Sequence, residues 1–393
     1  MPDSSDAERG AGASSALRVS ILTFDLSDNA TGRADLLARL LAPRYDVHVV
    51  GPRFGPALWG PARGAKIERR EVEGARYPRF AGRLGALARL ADGDILYASK
   101  PRATSFGVGL LARRQRRRPL VLDIDDWELG FFLRSGAWGT LGRAVNVSNP
   151  NGLPWTWLME RLVRRADALT VGSRFLEHRF GGTLLPHVRD TDAWDPAHYD
   201  REAARATLGA GDRRVVMFLG TPRGHKGVDD LVAAVATLGD DVMLAIVGAD
   251  PAGDAARRWG RVPAVRVFGE IAFDDVPQWL IGADVVAIPQ RETADTVGQV
   301  PAKVFDAMAL ARPIVSTRVS MIPEILEDCG VVVPPGDVPA LAAALRRLLD
   351  DPAEASALGR RARARCEVEY SFRAARARLF PLFQRVAARA RAR

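Results

Sequence analysis

Short apolar runs alternate with longer stretches in which apolar residues recur at helical spacing along nearly the whole chain. That is the sequence form of repeated β–α units around parallel sheets, and the rhythm restarts midway, which predicts two sheets. In the first half the spacing predicts strands at Leu17 to Phe24, Asp46 to Val50, Asp94 to Ala98, Pro119 to Leu122 and Ala168 to Val171. Helices are expected between them, among them Ala30 to Leu41 and Ala103 to Arg113. The second half restarts at Arg214 to Leu219 and continues through Val242 to Val247, Val265 to Phe268, Asp284 to Ile288, Pro313 to Ser316 and Gly330 to Val333. Its helices are expected at Gly227 to Leu238, Phe273 to Gly282 and Pro301 to Leu310, with three more after Pro339. A polar stretch with Pro and Gly, between Pro186 and Asp212, breaks the apolar rhythm and marks the domain boundary.

At 393 residues and 47% hydrophobic, the chain has material for two domains of ordinary size. Residues 1–16 read as a disordered tail without the charged start and apolar core of a secretion signal. A first domain is expected over 17–190, a second over 191–370, and a strongly basic final helix over 371–393. Two cysteines, Cys329 and Cys366, give no disulfide framework and no metal-site spacing, which fits a cytoplasmic protein. No apolar stretch reaches the roughly 20 residues that span a bilayer, so any membrane contact is expected to be peripheral. A net charge of +9 points to anionic partners: nucleotides, acidic lipid or nucleic acid.

The basic residues are distributed unevenly by type. Only Lys66, Lys100, Lys226 and Lys303 are lysine, and the remainder of the 56 basic residues are arginine. Lys226 lies in Gly220-Thr221-Pro222-Arg223-Gly224-His225-Lys226-Gly227, between a strand and a helix, where free backbone amides and cations can hold a phosphate. The string is neither a Walker loop nor a dinucleotide fingerprint, and the alternative is an ordinary strand-to-helix turn. Lys303 ends a second such loop, which runs through Thr296, Val297, Gly298 and Gln299 to a helix expected to start at Pro301. Asp306, one turn into that helix, either accepts from a ribose diol or complements the helix dipole. Both loops leave the carboxyl ends of strands, where open α/β sheets bind ligands.

The strings FLGTPRGHKGVDDLVAAV, ADVVAIP, PAKVFDAMALARPIVST and IPEILEDCGVVVPPGDVPALAAALRRLL, with LLPHVRDTDAWDP at the junction, resemble the donor domain of retaining glycosyltransferases of family 4. They cover most of Arg214 to Leu349 in order, while the first half resembles the family only in outline. The resemblance implies the GT-B fold, an α/β architecture of two Rossmann-like domains with parallel sheets facing across a cleft. It also implies that Arg223 and Lys226 contact the diphosphate of a nucleotide sugar and that Asp306 stands where relatives place a glutamate on the ribose. No metal is expected in that family. Three departures stand out: Gly298 replaces the first of two glutamates, Thr221 follows the loop glycine with Arg223 two residues on, and Ser320-Met321 replace paired glycines.

In the first half, Leu122-Asp123-Ile124-Asp125-Asp126-Trp127-Glu128 closes a strand with a cluster of acids. Asp125 or Asp126 is a candidate to orient or deprotonate an acceptor hydroxyl, and a metal-binding Asp-x-Asp or a capping turn are the alternatives. Lys100 and Glu128 are further acceptor-side candidates, and Gly32 belongs to a loop that approaches the cleft from the first strand. Phe131, Phe132, Trp138, Trp155 and Trp157 form an aromatic cluster that either packs under a loop or meets sugar or membrane. The run Arg113 to Arg118 either ends a solvated helix or meets anionic lipid.

The resulting expectation is a cytoplasmic glycosyltransferase, with peripheral membrane contact open, that moves a hexose-type sugar from a nucleotide diphosphate donor to an acceptor hydroxyl with retention. A lipid-linked acceptor in polysaccharide or glycolipid assembly and a small-molecule acceptor both remain open. The rival reading is a non-catalytic nucleotide-sugar binder. A nucleic-acid partner rests on charge alone, with no motif to carry it.

Overall fold

The computed structural model describes residues 17–133, 146–294 and 296–391. The tail expected over 1–16, Trp138 of the aromatic cluster and Asp295 of the second loop lie outside the described residues.

The first sheet has seven strands: β1 Arg18–Leu22, β2 Asp46–Arg53, β3 Glu68–Glu73, β4 Ile95–Ser99, β5 Leu120–Ile124, β6 Ala168–Val171 and β7 Thr183–Leu184, in the order β3-β2-β1-β4-β5-β6-β7. The second has six: β8 Arg214–Leu219, β9 Val242–Val247, β10 Val265–Phe268, β11 Val285–Ile288, β12 Ile314–Thr317 and β13 Val331–Val333, in the order β10-β9-β8-β11-β12-β13. Neighbouring strands are parallel throughout, as between β1 and β4 and between β8 and β11. Helices cover both faces of each sheet, so the central strands are buried on both sides and read as continuous apolar runs. Both orders reverse direction once, between β1 and β4 and between β8 and β11, and loops leaving the strands there open a crevice.

Two predicted features take a different form. The stretch Ala103 to Arg113 starts as a π-helical turn over Ala103–Gly107 and becomes α-helical only over Val108–Arg116. The segment from Phe273 begins as a 3₁₀ turn, Phe273–Asp275, followed by a short helix, Val276–Leu280. Two strands, β3 and β7, have no apolar run to announce them.

Helices Val338–Asp350 and Pro352–Glu369 belong to the second domain, and the chain then crosses back. At the crossing Arg189 N–H donates to Tyr370 O (2.9 Å) and Phe372 N–H donates to Arg189 O (2.9 Å), so the two passages between domains are laced together. The final helix, Phe372–Arg391, lies on the first domain. Its Phe383 ring meets Tyr45 and Tyr97, and Arg376 donates to the carbonyls of Arg39 and Leu40 at the end of helix Ala30–Leu41.

Candidate functional site

The segments after β1, β4, β5, β8 and β11 converge on a cleft between the domains that encloses about 290 Å³. Gly32, Lys100, Asp125 and Asp126 line it from the first domain, and Gly220, Thr221, Lys226, Gln299 and Lys303 from the second. These residues are far apart in sequence and are brought together by the two facing switch points.

On the second domain, the turn after β8 depends on Gly227, which has φ 62° and whose Cβ position would lie 1.9 Å from Pro289 O. A side chain there would collide with backbone, so the loop is held against β11's exit. At Gly220 the position of a Cβ lies 3.7 Å from Lys226 Nζ and 3.5 Å from Lys303 Cε, so the two lysines converge on one point. No carboxylate among the described residues pairs with Lys226, and Lys303 has only Asp306 at 3.6 Å. Burial, followed by repulsion from Lys303 and Arg223, pulls the Lys226 ammonium down to about 8, against a smaller pull upward from Asp126. The helix Ala302–Ala309 starts at the same place and adds its positive N-terminal end. This is a surplus of positive charge in a half-closed site, and an anion with several oxygens relieves it.

On the first domain the charges are already satisfied. Lys100, left-handed at φ 69°, turns its ammonium into three acids: Asp125 (2.9 Å), Asp126 (2.6 Å) and Glu128 (2.9 Å). Burial alone would lower it, but the three carboxylates outweigh burial and hold Lys100 well above the ordinary lysine value. Burial pushes Asp125 upward, but Lys100 and then Arg33 overcome it and drive the carboxyl down to about 2. Asp126 moves the other way: burial raises it, with Asp125 and Glu128 adding to that rise against Lys100. Behind them Asp123 takes both forks of Arg33 (2.9 and 2.8 Å) and a bond from Thr170 (2.6 Å). Of the Asp-x-Asp pair, one acid therefore belongs to an arginine and the other to a lysine, and among the described residues no group of His, Cys, Asp or Glu is arranged to hold a metal ion.

The domains touch through the same residues. Gln299 Nε2 donates to Asp126 Oδ1 (3.1 Å) and Ser173 Oγ donates to Gly298 O (3.0 Å). A Cβ at Gly298 would stand 3.0 Å from Trp127 and 3.1 Å from Phe175, so glycine there is what permits this approach. The departure at residue 298 thus coincides with a contact between the two domains.

Several candidates are placed otherwise than expected. The amides of Thr296, Val297 and Gln299 close turns on Thr293 O and Thr296 O within their own loop, so they do not face the cleft. Thr296 is buried and its hydroxyl bonds loop carbonyls, and Arg223 is exposed outside the lining. Asp306 is fully buried and does not line the cavity; a buried carboxylate requires a cation, and Arg189 supplies it. Glu128 lies behind Lys100, where Arg102 holds it.

Four lining residues were not singled out from the sequence. Arg189 ties the interdomain crossing to Asp306 and lies 5.4 Å from the rings of both Trp194 and Phe273. Arg33 anchors the acidic strand to the carbonyls of Leu185 and Pro186. His187 is held far below the ordinary imidazole value, first by burial and then by Arg33, and is neutral. Gln290 is 2% exposed, and neither of its amide atoms has a partner among the described residues. Position after a strand end is the one sequence signal that could have marked Gln290.

Two Rossmann-like domains with a shared strand order, a facing cleft and a terminal helix that crosses back define the GT-B fold. A family model for glycosyl transferases group 1 matches residues 213–351, and one for a glycosyl transferase 4-like domain matches residues 30–189. The chain belongs to the group 1 glycosyltransferases, of the family 4 type.

It is 32% identical to an alpha-D-kanosaminyltransferase of Streptomyces kanamyceticus over 39% of this chain and 42% of that protein. It is 30% identical to a GDP-mannose-dependent phosphatidylinositol monomannoside mannosyltransferase of Mycolicibacterium smegmatis over 62% of this chain and 64% of the relative. These two alignments span less than two thirds of the relatives' own length. A D-inositol 3-phosphate glycosyltransferase of Catenulispora acidiphila aligns over 88% of this chain and 85% of its own length at 29% identity. Among solved structures, sucrose-phosphate synthase from Thermosynechococcus elongatus superposes with a TM-score of 0.72 at 20% identity, covering 94% of this chain and 99% of that one. Anabaena HepE, in complex with UDP and glucose, gives 0.72 at 19% identity with the same coverage. At these identities the likeness speaks for the fold.

Proposed function

We propose that the protein transfers a hexose-type sugar from a nucleoside diphosphate sugar to an acceptor hydroxyl, with retention of anomeric configuration. The observation that carries this reading is the pair Lys226 and Lys303, which converge on Gly220 with too little negative charge around them, opposite the acids of the first domain. Gly220, Thr221, Lys226, Gln299 and Lys303 hold the donor's diphosphate side, and Arg223 reaches it from the rim. As the bond to the anomeric carbon breaks, negative charge grows on the leaving diphosphate, and the two ammonium groups stabilise it without prior reorganisation. They supply the charge a divalent ion would otherwise bring, so no metal is required. Asp126, which accepts from Gln299 across the cleft and whose carboxyl burial pushes upward, orients the acceptor hydroxyl, while Asp125 stays ionised and holds Lys100. Gly32 lies not in a loop, as expected, but in the first turn of helix Ala30–Leu41, where the missing side chain makes room for the Trp59 ring beside the cleft. The bonds Gln299 to Asp126 and Ser173 to Gly298 hold the two domains together beside the cleft and so limit the access of water to it.

One relative is named for the use of GDP-mannose, and HepE is bound to UDP, which supports a nucleotide sugar without fixing its base. A lipid-linked acceptor is favoured by the net charge of +9 and by the phosphatidylinositol-derived acceptor in the Mycolicibacterium relative's name. A second reading, a nucleotide-sugar binder without turnover, draws on glycine at residue 298. Thermal stabilisation by UDP, GDP and ADP sugars, followed by assay of released nucleotide, tests both. Stabilisation that disappears in Lys226→Ala, together with turnover, supports transfer; stabilisation without release of nucleotide favours the binder; no stabilisation by any nucleotide sugar overturns the donor site.

A further inference from the structure

The helix Leu153–Arg161 is built inside out for a purely structural segment. Its inner side buries Thr156 and Met159, while Trp157 (47% exposed) and Leu158 (37% exposed) face solvent. A helix that only served the fold would turn polar groups outward. Arg161, one turn on, lays its guanidinium over the Trp157 ring at 4.1 Å, and Arg164 and Arg165 stand exposed beyond it. The Arg165 carbonyl accepts a bond from Arg113 (2.6 Å), which joins this surface to the basic helix end at Arg114, Arg116 and Arg117. None of these exposed arginines has a carboxylate partner among the described residues. The nearby acids are already engaged, Glu160 by Arg179 and Asp167 by Arg113.

A tryptophan and a leucine ringed by uncompensated arginines match the two requirements of an interfacial segment. The apolar side chains sit at headgroup depth, and the guanidinium groups meet lipid phosphates. We propose that this face docks the protein on an anionic lipid surface. Charge complementarity selects that occupant over a neutral apolar partner, and the outward Trp and Leu select it over a partner that offers phosphates alone.

The surface is tied to the cleft. On the helix's inner side Thr156 Oγ1 accepts from Arg102 (2.8 Å), and Arg102 holds Glu128, which in turn holds Lys100. The docking face and the acceptor-side acids are thus linked through one arginine, and a bilayer-anchored hydroxyl compound is the acceptor that such a link favours. That last step rests on the proposed transfer reaction; the docking does not.

Co-sedimentation of the full chain with vesicles tests the docking in the absence of any donor. Vesicles of phosphatidylglycerol and phosphatidylcholine in equal parts bind the protein, and pure phosphatidylcholine vesicles do not. The variant Arg161→Gln/Arg164→Gln/Arg165→Gln loses roughly a hundredfold in partitioning, and Trp157→Ser/Leu158→Ser loses about tenfold. Both keep the parent's melting temperature and nucleotide affinity. Equal binding by parent and variants overturns the assignment. So does binding to single-stranded nucleic acid, with the same loss in the triple variant and no affinity for vesicles, which would reassign the face to a polyanion. If docking holds while no nucleotide sugar is turned over, the transfer reading alone fails.

Discussion

Lys100, beyond β4, and Lys226, beyond β8, both look into the cleft from a switch point, yet their surroundings are opposite. Lys100 is sealed among Asp125, Asp126 and Glu128 and is held above its ordinary value, whereas Lys226 faces Lys303 and Arg223 and is held down at about 8. The first domain neutralises its buried cation with its own acids, so its half of the site is formed before any ligand arrives. The second leaves positive charge unpaired and is completed only by an anion. The contrast assigns the acceptor side to the rigid half and the donor side to the half that gains most from binding.

Removing the sealed cation tests the rigid half most severely. Lys100→Met leaves Asp125 and Asp126 without their ion-pair partner in a buried place, while Glu128 keeps Arg102, and is expected to cost about 3–5 kcal/mol of stability in chemical denaturation. A loss under about 1 kcal/mol would show that the acids do not need Lys100. On the open half, Lys226→Ala is expected to leave stability near that of the parent while lowering the transfer rate by about a hundred- to a thousandfold. Equal loss of stability in the two variants would erase the distinction between the halves.

The pH dependence sharpens it further. Because folding lowers Lys226 to about 8 from the ordinary lysine value of 10.5, the folded chain holds fewer protons than the unfolded one between these values. The penalty for charging Lys226 is therefore fully present below about 8, and stability gains from this group as pH rises from there toward 10.5. Nucleotide binding runs the other way: a diphosphate favours the ammonium, so affinity should fall about tenfold from about pH 7 to about pH 9. Titration calorimetry in buffers of different ionisation heat would record proton uptake in the upper part of that range. The smallest effect is expected at Gln290, whose amide lies buried without a partner among the described residues. Gln290→Met should stabilise the free protein by about 1 kcal/mol and weaken donor binding by a similar amount. Unchanged donor affinity would remove Gln290 from the site.

Legibility in the sequence followed burial. Strands such as β8 and β9 are apolar from end to end because helices cover both faces, and their predicted spans match the observed ones. β3, Glu68–Glu73, escaped because it is an edge strand whose residues are mostly charged, and it is recognisable only by pairing with β2. β7 has two residues, too few for any period to show. The loops with Lys226 and Lys303 stood out because lysine is rare in this chain and each loop joins a strand to a helix. Arg33, Arg189 and His187 did not, since their significance comes from partners distant in sequence: Arg33 meets Asp123 and Arg189 meets Asp306. For the same reason the sequence left Asp306 between a ribose contact and a helix-dipole partner, while tertiary packing gave it to an arginine.

The most direct test is calorimetric titration of the parent chain and of Lys226→Met with UDP, GDP and ADP at about pH 7 and about pH 9. The account predicts that at least one nucleotide binds the parent, about tenfold more weakly at the higher pH, and that the variant binds it poorly with no pH dependence of this kind. A nucleotide that binds parent and variant alike at both pH values would contradict the claim that Lys226 forms an anion site left open by the fold.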